Sequence, residues 1–255
     1  MLHTLLQRCS QAFTSRQAVK QIPSPKPALE ALEDRSLLDA SAFVRSLYAN
    51  ILDRPSPTNA EVNGWVSQIQ NGMSLQAVSA AFIGSNEHFG VIIQNDYSNF
   101  FGRPADQAGL NFWVQQMENG MSQDQVASEL LSSEEFLMRH GSTNQEFIQG
   151  LYQTVLHRNA DAAGLAYWNQ QLSFETQNQN SHQDISMRFL TGDEAHQADV
   201  DAIFAQILHR SPDANGDSFW TNFLNNGGSE SQVIAGMVNS SEYLTAEGVP
   251  PQTTR

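Results

Sequence analysis

The apolar residues of the chain recur in a pattern that predicts helices and that appears four times. Each copy places large apolar side chains seven, six, three and two residues before an arginine. Steps of three and four residues put such side chains on one face of a helix. The set comprises Leu47, Tyr48, Ile51 and Leu52; Tyr97, Phe100 and Phe101; Leu151, Tyr152, Val155 and Leu156; and Ile203, Phe204, Ile207 and Leu208. In the second copy one slot holds Asp96, whose carboxylate is expected either to turn outward or to be paired.

Arginines and tryptophans mark the register of the repeat. Each Trp follows its Arg by 11 residues in the first copy and by 10 in the other three. A set that recurs four times is expected to hold each copy together rather than to form one active site. The signature residues are Arg54 and Trp65; Arg103, Asp106, Gly109 and Trp113; Arg158, Asp161, Gly164 and Trp168; and Arg210, Asp213, Gly216 and Trp220.

Capping signals divide each copy into short helices. The Arg is expected to end the first helix, and the Asp to cap the second and to pair with the Arg across the turn, as Asp161 would with Arg158. The Gly three residues after the Asp indicates that another backbone approaches closely. In the first copy, Thr58 and Glu61 predict a capping box instead. We therefore predict an all-α fold of four tandem units with three to four short helices each and no β-sheet.

The first forty residues have a different composition. The only lysines are Lys20 and Lys26, and residues 1–29 contain four basic residues and no acidic one. Three prolines within residues 23–27 oppose helix formation. We expect residues 1–40 to be a largely disordered targeting or linker segment. Repeats 1 and 2 then fall in residues 41–141, and repeats 3 and 4 in residues 142–255 with a short disordered C-terminal tail.

Charge and composition exclude several classes of protein. The net charge is −14, and no cluster of Lys and Arg exists that could neutralise nucleic-acid phosphates. A nucleic-acid partner is therefore not expected. One cysteine cannot form a disulfide framework. No apolar run reaches 18 residues, so a membrane span is not expected either.

Candidate chemistry is sparse. No nucleophile elbow, phosphate-binding loop or dinucleotide-binding glycine motif occurs, so we expect no enzymatic activity and no cofactor. Asp213, Asn215 and Asp217 are weak calcium candidates, because oxygen ligands at such spacing are typical of calcium loops. The twelfth position of that loop is Leu224 rather than Glu, and Asp213 is already expected to cap a helix.

Two resemblances add an expected location and family. Residues 32–38 resemble the LEPR-xLL segment of planctomycete surface proteins, with Asp34 in place of its proline, which implies sorting to the envelope or outside the cell. The Leu151-Tyr152, Arg158, Asp161 and Gly164–Trp168 elements resemble the bacterial repeat domain DUF4214, whose fold is similar to phycobilisome linker domains. This resemblance covers roughly residues 41–247 and implies a helical surface or assembly module without an established reaction.

We expect a non-catalytic, exported or cell-surface repeat protein that acts as a protein-interaction or assembly module. Its partner would be an envelope or extracellular protein, or a second copy of the chain. Asn and Gln total 44 residues, and amides beside aromatic faces also suit sugars, so a carbohydrate-binding module is the alternative. A calcium-stabilised surface domain and an envelope-polymer hydrolase are weaker alternatives.

Overall fold

The computed structural model describes residues 28–141, 143–175 and 181–249, with side chains from residue 39 onward except for residues 174 and 175. By its contacts the chain divides into residues 1–36 and residues 37–255. Only residues 28–36 are described in the smaller part, so the predicted basic, proline-rich stretch in residues 1–27 lies outside the described residues. The predicted C-terminal tail, residues 250–255, also lies outside them.

The described chain is helical, without any β-strand in the ranges given above, which confirms the predicted all-α class. Within those ranges, no helix is long and apolar enough to cross a membrane. The helices are α1 (Ala28–Leu52), α2 (Asn59–Gln70), α3 (Leu75–Ile83), α4 (Asn86–Phe101), α5 (Gln107–Glu118), α6 (Gln123–Leu131), α7 (Glu134–His140), α8 (Asn144–Val155), α9 (Ala162–Glu175), α10 (Ser181–Leu190), α11 (Asp193–Ile203), α12 (Ala214–Asn225), α13 (Glu230–Val238) and α14 (Ser241–Ala246). A π-helical segment, Phe204–Leu208, continues α11.

Each repeat uses these helices in the same order: a first helix ending near the Arg, a second with the Trp, a third, and a short fourth. The fourth helix is not always separate. That of repeat 1 runs on without a break into the first helix of repeat 2 as α4, and α11 joins repeats 3 and 4 in the same way. Between α7 and α8, Gly141 adopts a φ of +115°, so the chain turns and the two helices are distinct.

Helix ends follow the capping signals of the sequence. Thr58 with Glu61, Ser122 with Gln125, and Ser229 with Gln232 all form capping boxes. Glycines with positive φ angles follow the second helices of repeats 1, 2 and 4, and the angles are +98° at Gly72, +96° at Gly120 and +87° at Gly227. The capping box predicted at Thr58 and Glu61 is confirmed.

The repeats bury their apolar faces in two cores. Repeats 1 and 4 share the first core, in which Phe43, Leu47 and Ile51 pack with Val200–Val249 side chains such as Tyr243. Repeats 2 and 3 share the second core, whose fully buried side chains include Phe136, Phe147, Leu151, Leu172 and Ile185. The expected division at residue 141 therefore does not coincide with the boundary between the cores, because the first repeat packs against the fourth.

Polar contacts across the first core also join residues far apart in sequence. The Tyr243 hydroxyl donates to Ser46 Oγ at 2.8 Å and accepts from Asn50 Nδ2 at 3.1 Å. Burial raises the pKa of Tyr243 to about 12, which keeps the phenol neutral. Asn239 Nδ2 donates to Ser79 Oγ at 2.9 Å, linking α13 of repeat 4 to α3 of repeat 1.

Candidate functional site

The residue before each signature Arg adopts a left-handed conformation. Its φ is +51° at Asp53, +62° at Gly102, +51° at His157 and +53° at His209. Asp and His are among the side chains that tolerate this region. The two histidines therefore occupy a backbone position that ends the first helix, and side-chain chemistry is not needed to explain their place in the repeat.

The arginine that follows lies over an aromatic ring of the first helix. The guanidinium carbon is 5.1 Å from the ring centre of Tyr48 in repeat 1, and the distances in repeats 2, 3 and 4 are 5.2 Å to Tyr97, 4.7 Å to Tyr152 and 5.1 Å to Phe204. A cation above an aromatic face is attracted to it. The apolar face of the first helix thus packs into the core and also positions the Arg side chain.

Each Arg also pairs with a glutamate in the first turn of the fourth helix. Arg103 binds Glu135, Arg158 binds Glu194 and Arg210 binds Glu242, each through two N–H donors at 2.5–2.8 Å. Arg54 divides its donors between Glu87, at 2.8 Å, and the capping residue Glu61, at 2.6 Å. The hydrogen bond from Arg54 lowers the pKa of Glu61 to about 2.

This arrangement corrects the expected Arg–Asp pair. Asp161 Oδ1 accepts the Gly164 N–H at 2.6 Å, while the Arg158 side chain reaches Glu194, 36 residues later. The missed signal was the glutamate two residues after the cap of each fourth helix, which is Glu87 after Ser85, Glu135 after Ser133, Glu194 after Gly192 and Glu242 after Ser240.

The signature aspartates do cap the second helix, as predicted. Asp106 Oδ1 accepts from Gly109 N at 2.8 Å, and Asp213 Oδ1 accepts from Asn215 N at 3.0 Å and Gly216 N at 2.8 Å.

The close approach at the signature glycines comes from a side chain and not from a backbone. A Cβ at Gly109 would lie 3.0 Å from the Tyr97 hydroxyl, and one at Gly216 would lie 3.0 Å from Phe204 Cζ. At Gly164 the Tyr152 hydroxyl is closer still. The ring that carries the Arg therefore also leaves little room for a Cβ at the signature Gly, least of all at Gly164.

The four tryptophans are partly buried against the two cores. Trp65 lies 5.2 Å from Phe82 and Trp168 lies 4.5 Å from Phe189, measured between ring centres. Trp113 Nε1 donates to the Tyr97 hydroxyl at 3.3 Å. Trp220 covers Gly236, where a Cβ would collide with the indole. Every signature tryptophan thus has a packing role.

The calcium candidates have other partners. Asp213 caps α12, and Asp217 accepts from Thr221 Oγ1 and Gln197 Nε2, both at 3.2 Å. Asn215 contributes its backbone N–H to the cap. In the part of the chain that the structure describes, no group of three or more His, Cys, Asp or Glu side chains is arranged to hold a metal ion.

Asp96 is neither turned outward nor paired, contrary to both expectations. It is 8% exposed, and its Oδ2 atom has no hydrogen-bond partner. Burial, together with the nearby carboxylates Asp124 and Asp199, raises the pKa of Asp96 to about 8. The apolar slot therefore holds a carboxyl group that is costly to ionise.

A set of exposed aromatic side chains precedes the tryptophans of repeats 2, 3 and 4. Phe112 is 52% exposed, Tyr167 48% and Phe219 62%, and the corresponding residue of repeat 1 is Gly64. We call Phe112, Tyr167 and Phe219 the exposed aromatic set. Each ring meets the next Trp edge to face, at 4.9, 5.1 and 4.9 Å between ring centres. The same geometry thus presents an apolar ring to solvent three times.

Comparison with known proteins identifies one family. The model of the domain of unknown function DUF4214 matches residues 33–92, 91–140, 127–198 and 186–246. The first match begins at residue 33, within residues 1–40, which were expected to be a targeting or linker segment. No curated protein and no solved structure matches the chain.

Proposed function

The chain belongs to the DUF4214 family, and from that premise we propose that it is a non-catalytic repeat protein that acts as a protein-interaction or assembly module. The observation that carries this proposal is the exposed aromatic set. Aromatic side chains are enriched at protein interfaces, where they supply much of the binding energy. An enzyme is not proposed, because each repeated signature residue already has a cap, an ion pair or a packing contact.

The set is suited to binding because its rings are held in place. Each lies against a tryptophan that packs on a core, so little side-chain freedom is lost when a partner covers the ring. A repeated anchor also favours a partner that is itself repeated or assembled, since several contacts made at once raise the effective affinity.

We propose that this module works at the cell surface or outside the cell. The support is the resemblance of residues 32–38 to the sorting segment of planctomycete surface proteins. The partner would be an envelope or extracellular protein, or a second copy of the chain.

Photo-crosslinking tests the proposed contact surface. The full chain carries a photoreactive phenylalanine at Phe112, Tyr167 or Phe219, one position at a time, in the cells that produce it. Met138, which is 73% exposed and lies outside the set, is the matched control position. We expect an adduct with a protein from the three aromatic positions and none from Met138. Absence of protein adducts at all three positions contradicts the proposal.

Carbohydrate binding is the second candidate function, favoured by the polar neighbours of the exposed aromatic set. Asn111 and Gln170 are exposed beside Phe112 and Tyr167, and Asn222 is exposed close to Phe219 on α12. Amides bond sugar hydroxyls, and exposed rings offer stacking faces. Binding of the full chain to a glycan array, lost on Tyr167→Ala, would establish this function. If the chain binds no glycan on the array but forms protein adducts, the carbohydrate-binding function is rejected and the protein-binding proposal is supported.

A further inference from the structure

A cavity of about 270 Å³ is lined by residues of α4, α6, α11 and α13, together with residues of repeat 3 such as Val155 and His157. It is lined by carboxylates from four different helices, namely Asp96 of α4, Asp124 of α6, Asp199 of α11 and Glu230 of α13. No lysine or arginine is among the described residues that line it. The carboxylates therefore share the cavity without a lysine or arginine beside them, in a space large enough for a ligand of several heavy atoms. The basic side chains nearby are His88 and His157 in the lining and His196, which opposes the rise in the pKa of Asp124.

Two buried polar atoms of the cavity lining have no hydrogen-bond partner, and both are acceptors. Asp96 Oδ2 is one of them. The other is His88 Nε2, whose residue is only 3% exposed. His88 Nδ1 lies 3.0 Å from the Ile51 carbonyl, so Nδ1 carries the proton and donates, which leaves a lone pair on Nε2. Burial lowers the pKa of His88 and keeps the imidazole neutral.

The remaining carboxylates repel one another. Burial and the Asp124 charge raise the pKa of Asp199 to about 7. Burial and the charges of Asp199, Asp124 and Asp96 hold the pKa of Glu230 well above its usual range. One contact offsets part of this cost, since Gln123 Nε2 donates to Glu230 Oε2 at 3.2 Å. A positively charged ligand would relieve the repulsion.

These groups define the chemistry of that ligand. Unpartnered acceptors and carboxylates call for a molecule that carries positive charge and donates hydrogen bonds. An alkyl ammonium group does both, with three donors and no acceptor. A bare metal ion fits less well, because calcium needs six to eight converging oxygens and no three His, Cys, Asp or Glu side chains of the described chain are arranged to hold a metal ion.

We propose that this cavity binds a small aliphatic diamine or polyamine, with one ammonium group near Asp96 and His88 and another near the carboxylates of repeat 4. Asp124, Asp199 and Glu230 are only partly buried, so the cavity is open to solvent and a ligand can enter. The site is independent of the exposed aromatic set, and the failure of either proposal leaves the other standing.

Thermal unfolding of the full chain tests this site with 1,4-diaminobutane as the probe. At about pH 8.5 the Asp96 and Asp199 carboxyls are mostly ionised, while an amine of the lysine type, with a pKa of about 10.4, stays protonated. We expect a saturable rise in Tm of roughly 5 °C at about 100 times the Kd. Sodium chloride of equal ionic strength, butylamine and calcium chloride are the comparison solutes, and each is expected to produce a smaller rise.

Variants connect any rise in Tm to the cavity. Asp96→Asn/Glu230→Gln removes two carboxyl groups of the cavity lining and is expected to stay folded and to lose the response to the diamine. Glu118→Gln/Glu134→Gln removes two exposed charges away from the cavity and is expected to keep it. Asp199→Asn is a second cavity variant, should the first fail to fold. The proposal is overturned if the diamine has no effect beyond that of salt, if the cavity variants respond like wild type, or if only calcium raises the Tm.

Discussion

At the residue scale, one aromatic ring explains why several signature positions are fixed together. Tyr152 has Arg158 over its face, and its hydroxyl lies against the Cα of Gly164. Repeat 4 keeps the arrangement with Phe204 between Arg210 and Gly216, so the ring and not the hydroxyl is required. The Gly is present because of a neighbouring side chain, although helix propensity alone would favour Ala.

This packing predicts opposite effects for two Gly→Ala substitutions. Gly164→Ala is expected to lower the free energy of unfolding by about 1–3 kcal/mol, because the new methyl group overlaps the Tyr152 hydroxyl. Gly64→Ala, inside α2 with no atom within 4 Å of the added Cβ, is expected to raise it by about 0.5–1 kcal/mol. Urea unfolding measures both. Tyr152→Phe should recover part of the loss in Gly164→Ala, and equal, harmless effects of the two glycine substitutions would refute this explanation.

At the scale of the helices, the sequence was sufficient for elements and caps because those signals are local. Periodicity located the first helices, and the Ser, Thr and Asp caps marked where others begin. The partners of the arginines could not be found this way, since Arg158 and Glu194 are 36 residues apart and meet only through packing. The sharing of one core by repeats 1 and 4, and the cavity around Asp96, likewise depend on how whole helices are placed.

The Arg–Glu pairs join the first helix of each repeat to its fourth, and their strength can be measured. Arg158 and Glu194 are 42% and 50% exposed, so solvent screens the pair and a coupling energy of about 0.5 kcal/mol is expected. A double-mutant cycle with Arg158→Met and Glu194→Gln gives this value, and added salt should reduce it. The equivalent cycle with Arg158→Met and Asp161→Asn should show a weaker coupling. If the coupling of Arg158 to Asp161 is stronger than its coupling to Glu194, the Arg158–Asp161 pair expected from the sequence is the correct one.

At the scale of the whole molecule, two paired cores leave a cluster of carboxyls between repeats 2 and 4. Folding therefore places like charges together, and the pKa values of Asp96, Asp124, Asp199 and Glu230 all rise. Groups whose pKa is higher in the folded state stabilise the fold below their unfolded pKa and lose this contribution as pH rises through the folded value. His88 and His157 also line the cavity, and His196 lies close enough to Asp124 to oppose the rise in the pKa of that carboxyl.

Stability is consequently expected to fall between pH 6.5 and pH 8.5. With pKa values of about 8 for Asp96 and about 7 for Asp199, the loss over this range is about 3 kcal/mol, most of it from Asp96. Urea unfolding at several pH values, without any amine present, measures it. Asp96→Asn should flatten the dependence, whereas Glu118→Gln, an exposed control, should leave it as in wild type. A wild-type stability that is constant or rises over this range would contradict the buried position of the cluster.

The signature residues maintain the fold, since each has a cap, an ion pair or a packing contact. The proposed function assigns partner binding to Phe112, Tyr167 and Phe219, because these rings are about half exposed to solvent.

The most direct test compares the full chain with Phe112→Ser/Tyr167→Ser/Phe219→Ser, measuring how much of the crosslink-identified partner each retains. Met138→Ser is the control for loss of exposed apolar surface. We predict that the triple variant retains its free energy of unfolding to within about 1 kcal/mol and binds the partner at least about tenfold more weakly, while Met138→Ser binds as wild type does. Wild-type binding by a folded triple variant would contradict the central claim that these three rings are the contact surface of the protein.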